Sequence, residues 1–352
     1  MNKRHVFLSF CIFLFLLFMN SCAGIQYMTI ETEEPAQLTL PANVHSLLIV
    51  DNVVQQPDEV GHKKKPLEKK EFEPTKVSAD SISTYYTEAF TQFLSEEQYF
   101  DTVILYNKPL RTDTNFWEEK PIMPEKMNEL RKETETDAIV SLDKLILQTE
   151  WIDLFMQEGY NFATMKGKIH SILRVYMPTM EGKIPAVYFT DSLRWEGFDI
   201  RDDMAYANLI IPTPEEAMKQ LAVYAAEKMV NVFAPHWEMQ NRWYYTLYNP
   251  LMREGESYAK SAEWTKAIWK WQTFYDNEKN KVKKAKAASN IALAYEMLGE
   301  MDKAYDWITL SVQLFEESVS PNSLDKKRAE LYKNEIKRRK DNSAKINMQI
   351  NK

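Results

Sequence analysis

Cysteine and glycine are scarce in this 352-residue chain, which contains two cysteines and eight glycines. Both cysteines, Cys11 and Cys22, lie near the amino terminus, so a disulfide scaffold and thiol redox chemistry are excluded for the rest of the chain. The motifs GxGxxG, GxxxxGK(S/T), GxSxG and HExxH do not occur. The sequence therefore lacks the local signatures of phosphate-binding loops, of a hydrolase nucleophile elbow and of a zinc-protease site.

Histidines are also few and far apart along the chain. Beyond the amino-terminal segment, no histidine is followed three or four positions later by another metal-ligating residue. These histidines are His45, His62, His170 and His236. We therefore expect structural roles for them and predict neither a metal nor a cofactor.

Acidic residues outnumber basic ones, which gives a formal net charge of −7 and argues against nucleic-acid binding. Two acidic groupings deserve consideration for acid–base catalysis: Asp202 with Asp203, and Asp191 with Glu196. Residues five apart in a strand lie on opposite faces, so Asp191 and Glu196 are not expected to converge. We predict that the protein is not an enzyme; the least favoured alternative is an envelope hydrolase that uses Asp202 or Asp203.

A short apolar segment follows the positively charged start of the chain. The run from Val6 to Met19 is shorter than the roughly 20 residues of a membrane-spanning helix and is typical of a secretory signal peptide. The residues Met19-Asn-Ser-Cys22 resemble a bacterial lipobox, with methionine where leucine is usual. The resemblance implies removal of residues 1–21, acylation of Cys22 and a tether or linker over residues 22–43.

Two alternatives to lipidation are an ordinary signal peptide and an uncleaved anchor helix. Acylation is favoured because it caps Cys22, which would otherwise be a lone thiol in an oxidising compartment. No acidic residue follows Cys22 directly, as in lipoproteins sent to the outer membrane, which this segment resembles. The absence of an early acidic cluster favours the periplasmic face of that membrane over the cell surface.

Local patterns predict a mixed α/β sheet domain over residues 44–235. Residues 46–53 form a short apolar run rich in branched side chains, as in a buried strand. An amphipathic helix capped by Ser78 follows. The next elements are predicted to be a strand, a helix and a strand, at 101–106, 124–133 and 136–143. This order is typical of a layered α/β unit.

Residues 160–177 and 187–195 alternate between apolar and polar types, which predicts an antiparallel hairpin with one dry and one wet face. The stretch Thr213-Pro-Glu-Glu216 then predicts a capped helix start. The lysine-rich segment 61–73 is predicted to be a solvated loop. Charged residues are expected on the wet face of the hairpin, namely Lys166, Lys168, His170 and Arg174.

The element order and the strand TDAIVSLD at residues 136–143 resemble the α/β domain shared by the curli-secretion lipoproteins and the amino-terminal domain of TolB. The resemblance covers about residues 44–233 and implies the fold. Curli-type channels span the membrane with amphipathic hairpins, whereas charges on the wet face of this hairpin argue against a lipid-facing strand. We therefore do not predict a pore.

Strand patterns end near Pro250, and the sequence then repeats itself. Small and large residues recur at equal spacings in 255–274 and 292–311, and with the segment NIALAYEMLGEMDKAYDWI they resemble the tetratricopeptide repeat. The resemblance implies a helical repeat domain over 236–342, with a capping helix at 323–339 and a polar tail at 343–352. The packing residues that it implies are Gly255, Tyr258, Ala267, Trp271, Tyr295, Gly299 and Ala304.

In tetratricopeptide repeats the first helix of each pair lines a groove that binds a partner. The resemblance therefore implies a groove, and a helix around 243–248 is expected to support the short array. The possible groove residues are Asn249, Met252, Glu256, Lys286, Ser289, Leu293 and Glu296.

Five tryptophans lie close together in the sequence and could stack on sugar rings, but we interpret them as packing residues. They are Trp237, Trp243, Trp264, Trp269 and Trp271.

Together these features predict an α+β protein, in which a mixed α/β sheet domain is followed by an all-α tetratricopeptide-like helical repeat. The whole chain resembles a family of tetratricopeptide lipoproteins from Bacteroidota. The expected function is that of a lipid-anchored envelope adaptor or assembly factor that binds a protein or peptide. The alternative is a glycan-binding lipoprotein of the starch-uptake type, although those proteins are longer and carry their repeats at the amino terminus.

Overall fold

The computed structural model describes residues 24–66, 71–157, 160–177, 184–199 and 211–350. It contains both sheets and helices, and the predicted α+β fold class is confirmed. The chain divides into two units. Of the described residues, those of 35–236 and 348–350 form an α/β unit, and those of 24–34 and 237–347 form a helical unit.

Strands and helices are mixed as far as Tyr245, and the described residues from Pro250 onward form helices alone. The strands are β1 (Ile25–Glu34), β2 (Ser46–Asp51), β3 (His62–Lys65), β4 (Glu73–Pro74), β5 (Thr102–Tyr106), β6 (Ala138–Gln157), β7 (Tyr160–Tyr176), β8 (Ala186–Asp199) and β9 (His236–Tyr245). The helices are α1 (Ile82–Glu96), α2 (Pro124–Thr134), α3 (Pro214–Phe233), α4 (Pro250–Lys260), α5 (Trp264–Asn277), α6 (Lys281–Met297), α7 (Met301–Glu316) and α8 (Leu324–Ile350).

The α/β unit is built around β2, whose apolar and mostly branched residues suit a strand that is covered on both faces. β2 pairs in parallel with β5 on one side and with the start of β6 on the other. Among the described strands β5 pairs with β2 alone, so it forms an edge of the sheet. The predicted strand, helix, strand, helix, strand order is therefore the order of this parallel core.

Helices cover both faces of β2. One face, which includes Ile49, packs in a core with Phe90 of α1 and Leu221 of α3. The opposite face, which includes Val50, packs with Leu130 of α2. The crossover after β2 therefore leads to one face of the sheet, and the crossover after β5 leads to the other.

The lysine-rich segment that was predicted to be a loop contains β3 and β4, which pair antiparallel with Lys63 opposite Pro74. β3 also runs parallel to the second half of β6, with His62 opposite Thr149. His62 is buried, and its Nδ1 lies 2.8 Å from Thr149 Oγ1. The loop prediction is wrong for residues 62–65, because this buried histidine holds them on the sheet, and residues 67–70 of the predicted loop lie outside the described residues.

The long strands β6, β7 and β8 continue the sheet as antiparallel neighbours. The predicted hairpin is confirmed, with Met165 of β7 opposite Trp195 of β8. The wet-face prediction is wrong for Arg174, whose guanidinium pairs with the buried Asp143 carboxylate and with Glu119 at 2.7 Å. A carboxylate buried in the neighbouring strand was not visible in the local pattern.

Helix α3 begins as the sequence predicts. Its N-cap Thr213 accepts a hydrogen bond from the Glu216 backbone N–H at 3.3 Å, with a proline in the first turn. Ser78, in contrast, does not cap α1, which starts at Ile82 after Ser81 in a left-handed conformation. The first turn of α1 therefore lies farther along the chain than predicted.

In the helical unit, β1 and β9 form a two-stranded sheet, which we call the ribbon. Thr246 donates its backbone N–H to the Gly24 carbonyl at 2.9 Å, and Thr29 contacts Asn241 at 3.2 Å. Because the partner numbers fall as the chain advances, the two strands are antiparallel.

The ribbon overturns two predictions. A strand occupies Ile25–Glu34, within the tether predicted for 22–43, and β9 ends at Tyr245, where a helix around 243–248 was expected. Ile30 is buried in β1, because its strand has a partner far away in the sequence. No local pattern indicates that partner.

Four helices, α4 with α5 and α6 with α7, pack as two consecutive helical hairpins, and α8 follows them. The polar tail predicted at 343–352 is wrong, because α8 continues to Ile350 and buries Ile346. The helix predicted at 323–339 is correspondingly longer. Over the residues that the structure describes, none of the helices combines the length and the apolar character needed to cross a membrane.

Candidate functional site

The small residues of the first helical hairpin allow its helices to approach closely. A Cβ atom built on Gly255 of α4 would lie 2.3 Å from Nε1 of Trp271 on α5. The indole N–H of Trp271 donates to the Met252 carbonyl at 3.2 Å. Ala267 is fully buried in the same cluster, and Tyr258 packs against it. Glycine is therefore required at this contact.

The second hairpin repeats this arrangement. Ala304 is fully buried, and Tyr295 is half-buried against the cores of both hairpins. Gly299 has a φ of +74° and donates its N–H to the Glu296 carbonyl at 3.0 Å, which ends α6 in a left-handed turn. Tyr295 and Ala304 therefore have packing roles and Gly299 has a role in the turn, and these contacts are not specific to one repeat family.

The groove that was predicted for the second hairpin is filled by the chain itself. Lys286 forms an ion pair with Asp325 of α8 at 3.1 Å. The Asn290 side chain forms hydrogen bonds at 2.7 and 2.8 Å with the backbone of Tyr245 in β9. β9 and α8 therefore cover this face of α6. Three of the predicted groove residues are buried there, namely Ser289, Leu293 and Glu296.

Glu296 is the centre of a buried ionic cluster. Arg242 of β9 donates to its carboxylate at 3.0 Å, the Tyr332 hydroxyl donates at 2.5 Å, and Arg339 also pairs with it. Arg242 reaches Glu335 as well, at 3.2 Å. Burial, together with the adjacent Glu296 carboxylate, raises the pKa of Tyr332. Loss of this carboxylate would leave buried positive charge uncompensated, so Glu296 has a structural role and is not exposed to a ligand.

The predicted groove residues of the first hairpin also have structural partners. Asn249 is the N-cap of α4 and accepts hydrogen bonds from the backbone of Leu251 and Met252. Met252 is buried, and Glu256 forms an ion pair with Lys260 at 2.7 Å. In the second hairpin the groove positions Ser289, Leu293 and Glu296 are therefore buried, whereas for the first hairpin the groove stays a prediction.

A cleft of about 800 Å³ lies in the α/β unit. Its lining includes Asp51 at the end of β2, Tyr106 at the end of β5 and Ser81 just before α1. The connections that follow β2 and β5 lead to opposite faces of the sheet and leave a crevice between them. Open α/β sheets bind their ligands at this position.

The lining of this cleft is polar and acidic, with serine and threonine hydroxyls at the first turn of α1. Arg111 pairs with Asp113 at 2.7 Å, and a hydrogen bond from Arg111 lowers the pKa of Asp113 to about 2. Outside this pair, three carboxylates face one lysine. These four residues are Asp51, Asp80, Glu88 and Lys108.

Asp51 is the carboxylate at the sheet end of the cleft. It accepts a hydrogen bond from the Val53 N–H at 2.9 Å, and its backbone carbonyl accepts one from Leu110 at 3.1 Å. Burial raises the pKa of Asp51, and hydrogen bonds from Ser83 and Val53 oppose that shift. The carboxylate thus has a fixed orientation in which it can pair with a cationic or hydrogen-bond-donating group of a ligand.

Behind Asp51, a buried polar cluster fixes the end of β2. Asn52 donates to the Asp143 carboxylate at 3.0 Å, Ser141 donates to it at 2.5 Å, and Arg174 pairs with it. The cluster joins β2, β6 and β7 directly behind the cleft. Because Asn52 is bonded to Asp51 in the chain, the hydrogen bond from Asn52 to Asp143 also helps to fix the position of Asp51.

The cleft was not predicted from the sequence, although a signal was present. The polar pair Asp51-Asn52 directly follows the apolar residues of β2, and Ser81, Ser83 and Thr84 surround the start of the next helix. The carboxyl ends of parallel strands and the starts of the helices that follow them meet at one edge of a sheet. Pairing these two observations would have located the site.

The tryptophans divide into two groups. Trp264 and Trp271 are buried and Trp243 is half-buried, as the packing interpretation predicts. Trp237 and Trp269 are 67% and 62% exposed, so the packing interpretation is wrong for these two.

Three residues singled out in the sequence, Cys22, Asp202 and Asp203, lie outside the described residues. Asp191 accepts a hydrogen bond from the Tyr224 hydroxyl at 2.6 Å, which gives it a structural role on the hairpin. Within the described ranges, no group of three or more His, Cys, Asp or Glu side chains is placed to hold a metal ion.

Two family models match different parts of this chain. A model described as a domain of unknown function, DUF8603, matches residues 44–245, which is more than half of the chain. A second, described as the domain of unknown function DUF6340, matches residues 253–338. A search of curated proteins found no match.

Solved structures show only a distant likeness. The PelC dodecamer from Paraburkholderia phytofirmans is 7% identical over 60% of this chain and 100% of that one, with a TM-score of 0.26. The hypothetical protein CT253 from Chlamydia trachomatis is 10% identical over 53% of this chain and 95% of that one, with a TM-score of 0.23. Likeness at this level carries no argument about function.

Proposed function

We propose that this chain, which belongs to the DUF8603 family, is a lipid-anchored cell-envelope adaptor that binds a protein or peptide in the cleft of its α/β unit. The observation that carries the proposal is the acidic cleft of about 800 Å³ at the carboxyl ends of β2 and β5. The proposed anchor is Cys22, and the proposed location is the periplasmic face of the outer membrane.

The helical unit is assigned a scaffold role. Its hairpins have tetratricopeptide-like spacing, but Ser289, Leu293 and Glu296 are buried under β9 and α8. Burial of these positions favours the cleft over the helical groove as the binding surface. We therefore keep the adaptor function that the sequence suggested and move its binding site to the other unit.

The chemistry of the cleft favours an extended peptide segment with basic side chains. Asp51, Asp80 and Glu88 are opposed by Lys108 alone, so the lining attracts positive charge. β5 is an edge strand among the described residues, and its last residues line the cleft. Its free backbone groups are suited to pairing with an extended chain.

Site-specific photo-crosslinking tests this proposal in intact cells. A photo-reactive residue at Thr84, which is exposed in the cleft, is expected to capture one protein partner reproducibly. The same residue at the exposed Leu331 of α8 is the control and should capture none. The double substitution Asp80→Lys and Glu88→Lys should abolish the Thr84 adduct, because it reverses the charge of the cleft.

The outcome that contradicts the proposal is an adduct that survives the charge reversal, or one that forms equally from Leu331. Either would place binding outside the cleft.

The lipid anchor has its own test. Intact mass of the membrane-extracted protein should show a chain that starts at an acylated Cys22, and the Cys22→Ala variant should remain unprocessed. An unmodified, soluble product from both chains would exclude the anchor.

Glycan binding is the second candidate, and one observation keeps it open. The Trp269 ring is 62% exposed, and Lys270 Nζ lies 4.5 Å from its centroid. An exposed indole ring offers an apolar surface for stacking on a sugar. Binding on a glycan array that is lost in Trp269→Ala and kept in Trp237→Ala would support this candidate; absence of binding by the wild-type protein would exclude it.

A further inference from the structure

The start of the ribbon fixes where the chain leaves the anchor. The carbonyl of Gly24 accepts two hydrogen bonds from Thr246, one from the backbone N–H at 2.9 Å and one from Oγ1 at 2.8 Å. Cys22 precedes Gly24 by two residues in the sequence, and two residues of chain span at most about 7 Å. If Cys22 carries lipid, the Thr246 end of the ribbon is held at the membrane surface.

Two exposed aromatic side chains and one cationic side chain lie close in the sequence to this end of the ribbon. Tyr248, two residues after Thr246, is 93% exposed, and the Arg253 guanidinium lies 4.5 Å from the centroid of its ring. Tyr27, three residues after Gly24, is 68% exposed. We call Tyr27, Tyr248 and Arg253 the anchor-end patch.

The composition of the anchor-end patch matches a membrane interface. Tyrosine rings prefer the headgroup region, because they present an apolar body and a polar hydroxyl. An arginine there is attracted to lipid phosphates, even though the net charge of the chain is −7. The charge of the patch is thus complementary to a phospholipid surface that would repel most of the protein.

We propose that the anchor-end patch docks on the headgroups of the bilayer that holds the Cys22 anchor, and so orients the helical unit on the membrane. This proposal rests on the lipid anchor of the proposed function. The docked patch would be a second, non-covalent membrane contact in addition to the acyl anchor. Stable membrane attachment commonly uses two such contacts.

The other end of the ribbon provides a matched control. Met239 is 78% exposed and belongs to the same strand as Tyr245. It precedes Thr246 by seven residues, a distance of about 23 Å along a strand, which is beyond the depth of the headgroup layer when the ribbon stands on the membrane.

The experiment uses the full mature chain from Cys22, which retains a single cysteine. Coupling Cys22 to a maleimide lipid in phosphatidylcholine and phosphatidylglycerol vesicles supplies the tether without cellular acylation. Tyr248→Trp and Met239→Trp each add a reporter at an exposed position, and quenching by brominated lipid is measured for each variant against the wild-type protein. The reporter at 248 is expected to be quenched several-fold more than the reporter at 239.

Adding Arg253→Glu to the Tyr248→Trp variant should reduce the quenching, because it replaces the attractive charge by a repulsive one. Equal quenching at both reporters, no quenching at either, or quenching that Arg253→Glu leaves unchanged would overturn the proposal. Circular dichroism checks that each variant is folded.

Failure of docking and failure of the anchor are distinguishable. The vesicle measurement reports docking whether or not cells acylate Cys22. The intact mass of the cellular protein reports acylation whether or not the patch touches lipid. An acylated protein with an unquenched reporter would remove the docking proposal alone.

Discussion

Two candidate binding surfaces of this molecule differ in whether other parts of the chain cover them. The face of α6 that the repeat spacing suggested as a groove is covered by β9 and α8, which bury Glu296 in an ionic cluster. The crevice at the ends of β2 and β5 is not filled by other described residues, and its lining includes the exposed Asp80, Thr84 and Glu88. Helix spacing therefore specifies how hairpins pack, but it does not specify what occupies their concave side.

The largest expected change in the free energy of unfolding tests whether the covered face of α6 stabilises the helical unit. Glu296→Gln keeps the side-chain volume but leaves Arg242 and Arg339 without a buried counter-charge. Breaking a buried ion pair in this way should lower the free energy of unfolding by about 3–5 kcal/mol. Urea denaturation measures it, and Glu330→Gln at an exposed pair with Lys326 is the control, with a change under about 0.5 kcal/mol. A decrease in the free energy of unfolding no larger than that of the control would mean that the covered face of α6 does not stabilise the helical unit.

The next effect sharpens the comparison within the helical unit. Gly255→Ala places a methyl group against the Trp271 ring and should cost about 1–3 kcal/mol of unfolding free energy. Gly299→Ala meets no atom within 4 Å but must adopt a φ of +74°, so it should cost about 1 kcal/mol. Thermal denaturation of both variants separates the cost of the steric clash at Gly255 from the cost of the backbone conformation at Gly299. A harmless Gly255→Ala would contradict the close helix approach.

The ionic cluster also predicts a pH dependence. A hydrogen bond from Arg338 holds the pKa of Glu335 below its usual value of 4.5. A carboxylate with a lowered folded-state pKa stabilises the protein above its unfolded pKa, and this contribution is lost as the pH falls through the folded value. Glu335→Gln should therefore cost about 1 kcal/mol at neutral pH and progressively less below pH 4.5. A cost that stays constant across this range would exclude the ionic contribution.

The smallest effect on stability is expected in the open cleft. Asp80 and Glu88 are exposed, so Asp80→Lys with Glu88→Lys should change the free energy of unfolding by less than about 0.5 kcal/mol each. The same double variant should lose the cross-linked partner. Chemical denaturation beside the cross-linking experiment checks both parts, and a strongly destabilised variant would mean that the cleft residues also have a structural role.

Local patterns predicted those elements whose signals are contained in a short stretch. The apolar run of β2, the alternation across β7 and β8 and the cap at Thr213 each depend on neighbouring residues, and each was found. The ribbon was missed because β1 has its partner more than two hundred residues away: Thr29 and Asn241 are 212 positions apart.

The errors at the binding surfaces have the same origin. The repeat pattern placed Glu296 on the groove side of α6. That pattern cannot show that Arg242, from a distant strand, covers this residue. The cleft was missed because it combines the ends of two strands with the start of a helix. Fold class thus follows from local patterns, whereas a site made of distant segments depends on the tertiary structure.

The pairing of β1 with β9 also constrains when the protein can fold. β1 is synthesised before β9, so it has no strand partner until the chain has been made as far as β9. Closing so long a loop is slow, because the entropy of the intervening chain is lost before the strand contacts form. The amino-terminal strand is therefore among the first segments to be synthesised and among the last to become ordered.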